Sequence, residues 1–183
     1  MNIEQTFDIY EAKQNVKSAL AATSEWRKAA AEDFAFMQGK QWQDADLKKM
    51  REAGRPAITI NRIRPVINLL CGYASQNETE PDFLPRSEED DRISRVAKGI
   101  TKYCLDRANY QRNKGKCFRD KIICGLANYW VSYEFDYTKL DGTIQIERVS
   151  PFDAFIDPEC KKDDLSDAQY VAKIDELMAA VDS

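Results

Sequence analysis

At 183 residues, with a formal charge of -4, 43% hydrophobic and 32% charged residues, the chain suits one domain of ordinary size, or a core with a helical extension. The absence of histidine removes Ser-His and Cys-His nucleophile pairs and the usual zinc and haem ligands together. Seven dispersed glycines form neither a G-x-G-x-x-G nor any other phosphate-cradling loop, so nucleotide hydrolysis has no support.

Cys71, Cys104, Cys117, Cys124 and Cys160 are odd in number and scattered, as free thiols of a soluble protein in a reducing compartment are. The first residues, M-N-I-E-Q-T-F-D, are acidic where a signal peptide is basic. The longest uncharged runs, Pro65 to Asn77 and Ile122 to Tyr133, fall short of the ~20 apolar residues a spanning helix needs. A cytoplasmic protein without a membrane partner is expected.

In chain order, Ile3 to Leu20 and Ser24 to Met37 carry apolar residues at helical spacing, and Gly39 ends the second helix. Asp44 is placed to cap a third, short helix that stops at Gly54. There follows G-R-P-A-I-T-I-N-R-I-R-P, Gly54 to Pro65, around which the chain is organised. Ile58-Thr59-Ile60 is one strand long and reads as a buried connector between breakers. Asn61 can cap the next helix, with Pro65 in its first turn, where a missing N–H costs nothing. Arg55, Arg62 and Arg64 have no acid among them, so their partners lie outside the segment.

Glu80 to Pro85, with its two prolines, is an extended linker. Ser87 then starts a helix with an apolar stripe at Ile93, Val96, Ala97, Ile100 and Cys104, and Asn109 to Gly115 reads as the turn into a helix through Cys117, Phe118 and Ile122. From Tyr129 the period becomes two, giving an aromatic-rich hairpin over Tyr129 to Tyr137 and Thr143 to Val149 that turns at Leu140-Asp141-Gly142. Ala154 to Ile156 reads as a short extended piece and Gln169 to Ile174 as a strand joining the hairpin's sheet. A helix from Asp175 stops after about two turns, too short to stand alone, so the chain reads as cut within a larger protein.

Four constellations invite chemistry, each beside a plainer alternative. Ten Lys/Arg against Asp106 and Asp120 make Arg92 to Lys121 a candidate nucleic-acid module, whereas thirteen acids against five bases follow from Glu134 to Ser183. Equal and opposite blocks more often neutralise each other within a fold or between subunits. Asp157, Asp163, Asp164 and Asp167 offer oxygen ligands to a hard cation but fit no EF-hand spacing, and an acidic solvated loop explains them as well. Glu134, Asp136 and Lys139 loosely resemble a metal-dependent nuclease set, an order that a half-exposed strand also produces by accident. Trp130, Tyr133, Phe135 and Tyr137 do not all fall on one strand face, so no single platform collects them and core packing accounts for them better than base stacking.

Five motifs in order carry a family resemblance: F-M-Q-G-K-Q-W at Phe36 to Trp42, the Gly54 to Pro65 segment, S-Q-N-E-T-E-P at Ser75 to Pro81, G-L-A-N-Y-W at Gly125 to Trp130, and S-P-F-D-A-F-I-D-P at Ser150 to Pro158 running on to Ser166 to Tyr170. From about Asp33 onward the chain resembles the portal proteins of tailed double-stranded-DNA bacteriophages of the large podovirus type. The resemblance implies a structural subunit, not an enzyme, of a ring that is commonly a dodecamer at one capsid vertex of the virion, assembled in the host cytoplasm. Terminase, capsid and tail proteins are its implied partners, and double-stranded DNA passes through the channel. It implies no cofactor and no metal.

Residues 1–43 are then an N-terminal helical segment and 44–183 an α+β, wing-like region that ends before the stem. Arg55, Asn61, Arg62, Arg64, Pro65, Trp42 and Trp130 are its structural or interface residues. The expected fold is α+β, with N-terminal helices, two central helices and a small antiparallel sheet.

Overall fold

The computed structural model describes residues 9–77, 79, 81–85, 90–137, 141–162 and 164–173. Helices α1 (Ile9–Ala22) and α2 (Ser24–Gln38) meet at Thr23, where helical bonding runs on through Thr23 N–H to Ala19 C=O and Arg27 N–H to Thr23 C=O. The Thr23 hydroxyl also donates to Ala19 C=O at 2.7 Å, a back-bond of the kind that bends a helix. Gly39, at φ +96°, closes α2: its N–H bonds Phe36 C=O and that of Lys40 bonds Ala35 C=O, the paired bonds of a Schellman end.

Helix α3 (Asp44–Glu52) begins at its expected cap, one residue early, since Gln43 holds the cap position with extended backbone and Asp44 lies in the first turn. Helix α4 (Ile63–Gln76) carries Pro65 as its third residue. Asn61 holds both neighbours: Nδ2 donates to Met37 C=O at 2.9 Å and Oδ1 accepts the Arg64 N–H at 3.1 Å. One side chain thus fills an orphan carbonyl at the end of α2 and an orphan amide at the start of α4.

Helices α5 (Asp91–Arg107) and α6 (Tyr110–Cys124) are joined by Ala108 and Asn109 alone. The longer turn expected from Asn109 to Gly115 is helical instead. Asn109 takes the left-handed conformation that asparagine tolerates (φ 50°), so two residues complete the reversal. The expected helix start at Ser87 lies outside the described residues.

Strands β1 (Asn128–Asp136) and β2 (Asp141–Val149) form an antiparallel ribbon from Asn128 opposite Val149 to Asp136 opposite Asp141. Asp141 and Gly142 are therefore strand residues, not the turn. A side chain at position 142 would overlap the Tyr133 ring, which lies across that glycine. Strands β3 (Ala154–Ile156) and β4 (Val171–Lys173) pair antiparallel as a separate sheet, so the expected third hairpin strand has Ala154 to Ile156 as its partner. The fold is α+β, with six helices and two two-stranded sheets among the described residues.

Helix α6 is the hub. Asn113, Cys117 and Asp120 recur on one helical stripe facing the ribbon. Asn113 donates to Ile146 C=O at 2.7 Å, and Arg148 Nε donates to Asp120 Oδ2 at 2.5 Å with Asp120 only 4% exposed. On another side, Arg119 reaches the Met37 sulfur of α2 at 3.7 Å.

A second cluster ties the two ends of the chain together. Arg27 donates to Phe152 C=O at 2.5 Å and Ala154 C=O at 3.1 Å, with its guanidinium 4.5 Å over the Phe155 ring. Phe152 packs against Trp26 and Phe34, and the Tyr170 hydroxyl bonds Asn15 C=O.

In urea titration, Asp120→Ala is expected to lower the unfolding free energy by roughly 3 kcal/mol, because a half-buried guanidinium loses its carboxylate. A change below about 1 kcal/mol would remove the pair from the joint between α6 and the ribbon.

Candidate assembly interface

Among the described residues the buried apolar set is small: Ala19, Ala30, Met37, Ile67, Ala108, Cys117, Val149, Pro151 and Phe155. Apolar exposure is organised by element. On α4 the outer face shows Val66, Leu69, Leu70 and Tyr73, with Leu69 72% exposed; on α5 the stripe Ile93, Val96, Ile100 and Tyr103 is open, and so are Val131, Tyr133 and Phe135 on β1. Apolar stripes at regular helical or strand spacing are surfaces shaped to be covered.

The central segment belongs to this surface and is not a buried connector. Ile58 is 69% and Ile60 71% exposed, and Pro56 to Ile60 take no strand pairing with the described chain. Arg55, Arg62 and Arg64 are exposed along the same stretch. Trp42 is half-buried and Trp130 is 37% exposed on β1, so the seven residues expected to act together divide into an Asn61-centred joint, an arginine-lined exposed segment and a ribbon position.

The charged constellations resolve differently. Arg107 spans the two opposite blocks by reaching Asp141 at 3.4 Å and the Tyr103 hydroxyl at 3.1 Å, while Lys98 pairs with Asp82 at 2.8 Å. Asp157, 6% exposed, uses both oxygens inside its own loop, accepting the Glu159 N–H at 2.9 Å and the Gln169 N–H at 3.0 Å. Asp167 accepts the Cys160 thiol and the Lys161 and Lys162 N–H groups, which hold its carboxyl below the usual range, and the Ser166 N–H does the same for Asp164. These carboxylates are turn staples, and among the described residues no three acidic or thiol groups are placed to hold a metal ion. Asp163 and Lys139 lie outside the described residues, and Glu134 accepts Gln145 Nε2 across the ribbon at 3.3 Å.

A cleft of about 450 Å³ between α4, α6 and the start of β1 is lined by Cys71, Ser75, Lys114, Cys117, Lys121 and Tyr129. Burial pushes the Tyr129 phenol and the Cys117 thiol upward, so both stay protonated at neutral pH and neither is an activated nucleophile.

Sequence reasoning missed Arg27, Asn113 and Arg148. Asp120, the lone acid among the bases of α6, was the one visible signal of a buried partner; nothing in sequence links Arg27 to Phe152.

Among the described residues, apolar faces at regular spacing stand open beside a small core, and no three acidic or thiol groups are gathered as a metal site. The chain matches the family model described as Phage P22-like portal protein over residues 13–180, and it belongs to that family. The match begins within α1, upstream of the motifs that carry the resemblance. The chain is also similar to the portal protein of Helicobacter pylori bacteriophage KHP30, 23% identical over 143 residues. That alignment covers 74% of this chain and 23% of the relative, so the chain spans about a quarter of that relative's length.

Replacing Asp157 with Ala is expected to lower stability by about 2 kcal/mol by stranding two backbone amides, read as a fall in Tm. Calcium is expected to leave the Tm of the unaltered chain unchanged; a rise would return the loop to the metal-binding reading.

Proposed function

We propose that this chain is the wing-like N-terminal region, residues 44–183 preceded by a helical segment over 1–43, of a portal-ring subunit at one capsid vertex. The ring is the channel for packaging and ejection of double-stranded DNA and the platform for tail attachment. The match over residues 13–180 carries the reading, and the patterned apolar surface supports it. Copies meeting through unlike surfaces close into a ring if the rotation per copy permits, and terminase, capsid and tail proteins meet its faces. The role is structural, in the virion and, during assembly, in the host cytoplasm.

Arg55, Arg62, Arg64, Pro65, Trp42 and Trp130 act in the wing or at its subunit boundary, and Asn61 supports them from within. A nucleic-acid module on α5 and α6 has less in its favour, because Arg107 and Lys98 are engaged with acids of the chain and Arg119 with Met37.

Cryo-electron microscopy of virions decorated with an antibody fragment against this chain is expected to show one label per particle, at the tail vertex. Label on every vertex, or none on any virion, would overturn the portal reading. The Arg62→Ala, Arg64→Ala double variant is expected to weaken self-association and leave duplex-DNA affinity unchanged. A large loss of DNA affinity, with the steep salt slope of phosphate contacts, would favour the nucleic-acid module.

A further inference from the structure

The segment from Pro56 to Ile60 is extended, exposed and held at both ends. Before it, the Arg55 N–H bonds Met50 C=O at 2.9 Å past Gly54 at φ +63°; after it, Asn61 is clamped to Met37 and Arg64. Between these anchors, residues 56–60 make no backbone hydrogen bond to any described residue. Ile-Thr-Ile is strong strand sequence, and a pinned strand with a free edge is what recognition by strand addition uses.

The fold also contains an edge of matching length. The ribbon has two strands, and its β2 side is occupied: α5 and α6 pack along β2, Arg107 reaches Asp141, and Lys173 of β4 bonds Glu147 at 3.0 Å. The β1 side has no strand neighbour among the described residues, and Val131, Tyr133 and Phe135 stand exposed on one face.

We infer that residues 56–60 add as an antiparallel strand to the free edge of β1 in a second copy of this chain. The choice of a second copy as occupant rests on the portal reading. Charge and face pattern support it as well. Placing Ile58 opposite Val131 in an antiparallel pair puts Ile60 opposite Tyr129, all on the apolar face. The same register puts Arg55 opposite Glu134, on the other face, so an opposite-charge cross-strand pair and an apolar pair fix one alignment. Donor segment and acceptor edge are different surfaces, so each copy gives a strand to one neighbour and receives one from the other.

Hydrogen exchange of the full chain, dilute and at associating concentration, tests this. The amides of 57–60 are expected to exchange freely in the monomer and to slow at least about tenfold on association, together with amides of β1. Thr59→Pro removes an N–H from a segment that bonds nothing within the chain, so it is expected to leave Tm unchanged. Ile58→Pro does the same at the alternate position, and only one of the two is expected to abolish association, since alternate amides face opposite edges. Arg55→Glu is expected to weaken association by about tenfold, and Glu134→Arg to restore it in the double variant.

Oligomers that form with 57–60 still exchanging freely would overturn the strand addition and leave the portal reading standing. A chain that never associates would overturn the second copy as occupant, with the vertex label still deciding the portal reading. Protection of 57–60 in the monomer would overturn it in favour of pairing within one chain.

Discussion

The bond from Arg148 to Asp120 is the constraint on which the arrangement depends, because it locks the ribbon to the helix against which α2, α4 and α5 also pack. An isolated two-stranded ribbon is marginal in water, and this one gains its place by docking on α6. The contact is polar at its centre: Asn113 to the Ile146 carbonyl, the Cys117 thiol toward the Asn128 carbonyl at 3.5 Å, then the ion pair. Side-chain hydrogen bonds of this kind set register and angle where apolar area is too small to do so. The carboxylate in turn raises the Arg148 pKa, so the guanidinium keeps its charge throughout the neutral range.

That polar joint goes with a shortage of buried apolar area. Small side chains (Ala19, Ala30, Ala108, Cys117) take up a large share of the interior, while Leu69, Leu70, Val131 and Tyr133 stay outside. Helix α4 persists with an uncovered face because Asn61 caps it and Ile67 is buried. Helix α5 persists because a tight link brings it back against α6. Helices α4 and α5 and strand β1 therefore each have one face packed within the chain and one open apolar face. This is the inverse of a globular monomer, where apolar stripes turn inward.

Sequence periodicity reported the elements well and the identity of their covers poorly. Gly39 marked the end of α2 because a residue at ease with positive φ closes a helix tightly, and Gly125 closes α6 in the same way. The hairpin was legible from Tyr129 onward because its strand alternation is uninterrupted. Ile58 and Ile60, in contrast, read as buried and are exposed, since alternation says that a face will be covered without saying by which chain. Asn109 to Gly115 looked like a loop from its polar composition, yet α6 needs polar residues there to bond the ribbon backbone. The carboxylates of Asp157 and Asp167 looked like ligands because backbone amides, which carry no sequence signature, are their true partners. Arg27 was invisible because its bonds cross about two-thirds of the chain to carbonyl oxygens.

The opposite charge blocks acquire a role in this arrangement. Were an open face self-complementary, two copies would bury it around a twofold axis and assembly would stop at a dimer. The face on α5 is flanked by Arg92 and Arg95, and like charges of this kind meeting themselves would repel. The acidic loop from Asp157 to Asp167 is stapled by its own amides and presents exposed Glu159 and Asp164 elsewhere on the chain. Unlike surfaces therefore attract while like surfaces do not, which disfavours the closed dimer and favours head-to-tail addition. In the proposed ring, the asymmetry that leaves a single copy with open apolar faces is what head-to-tail contacts would use.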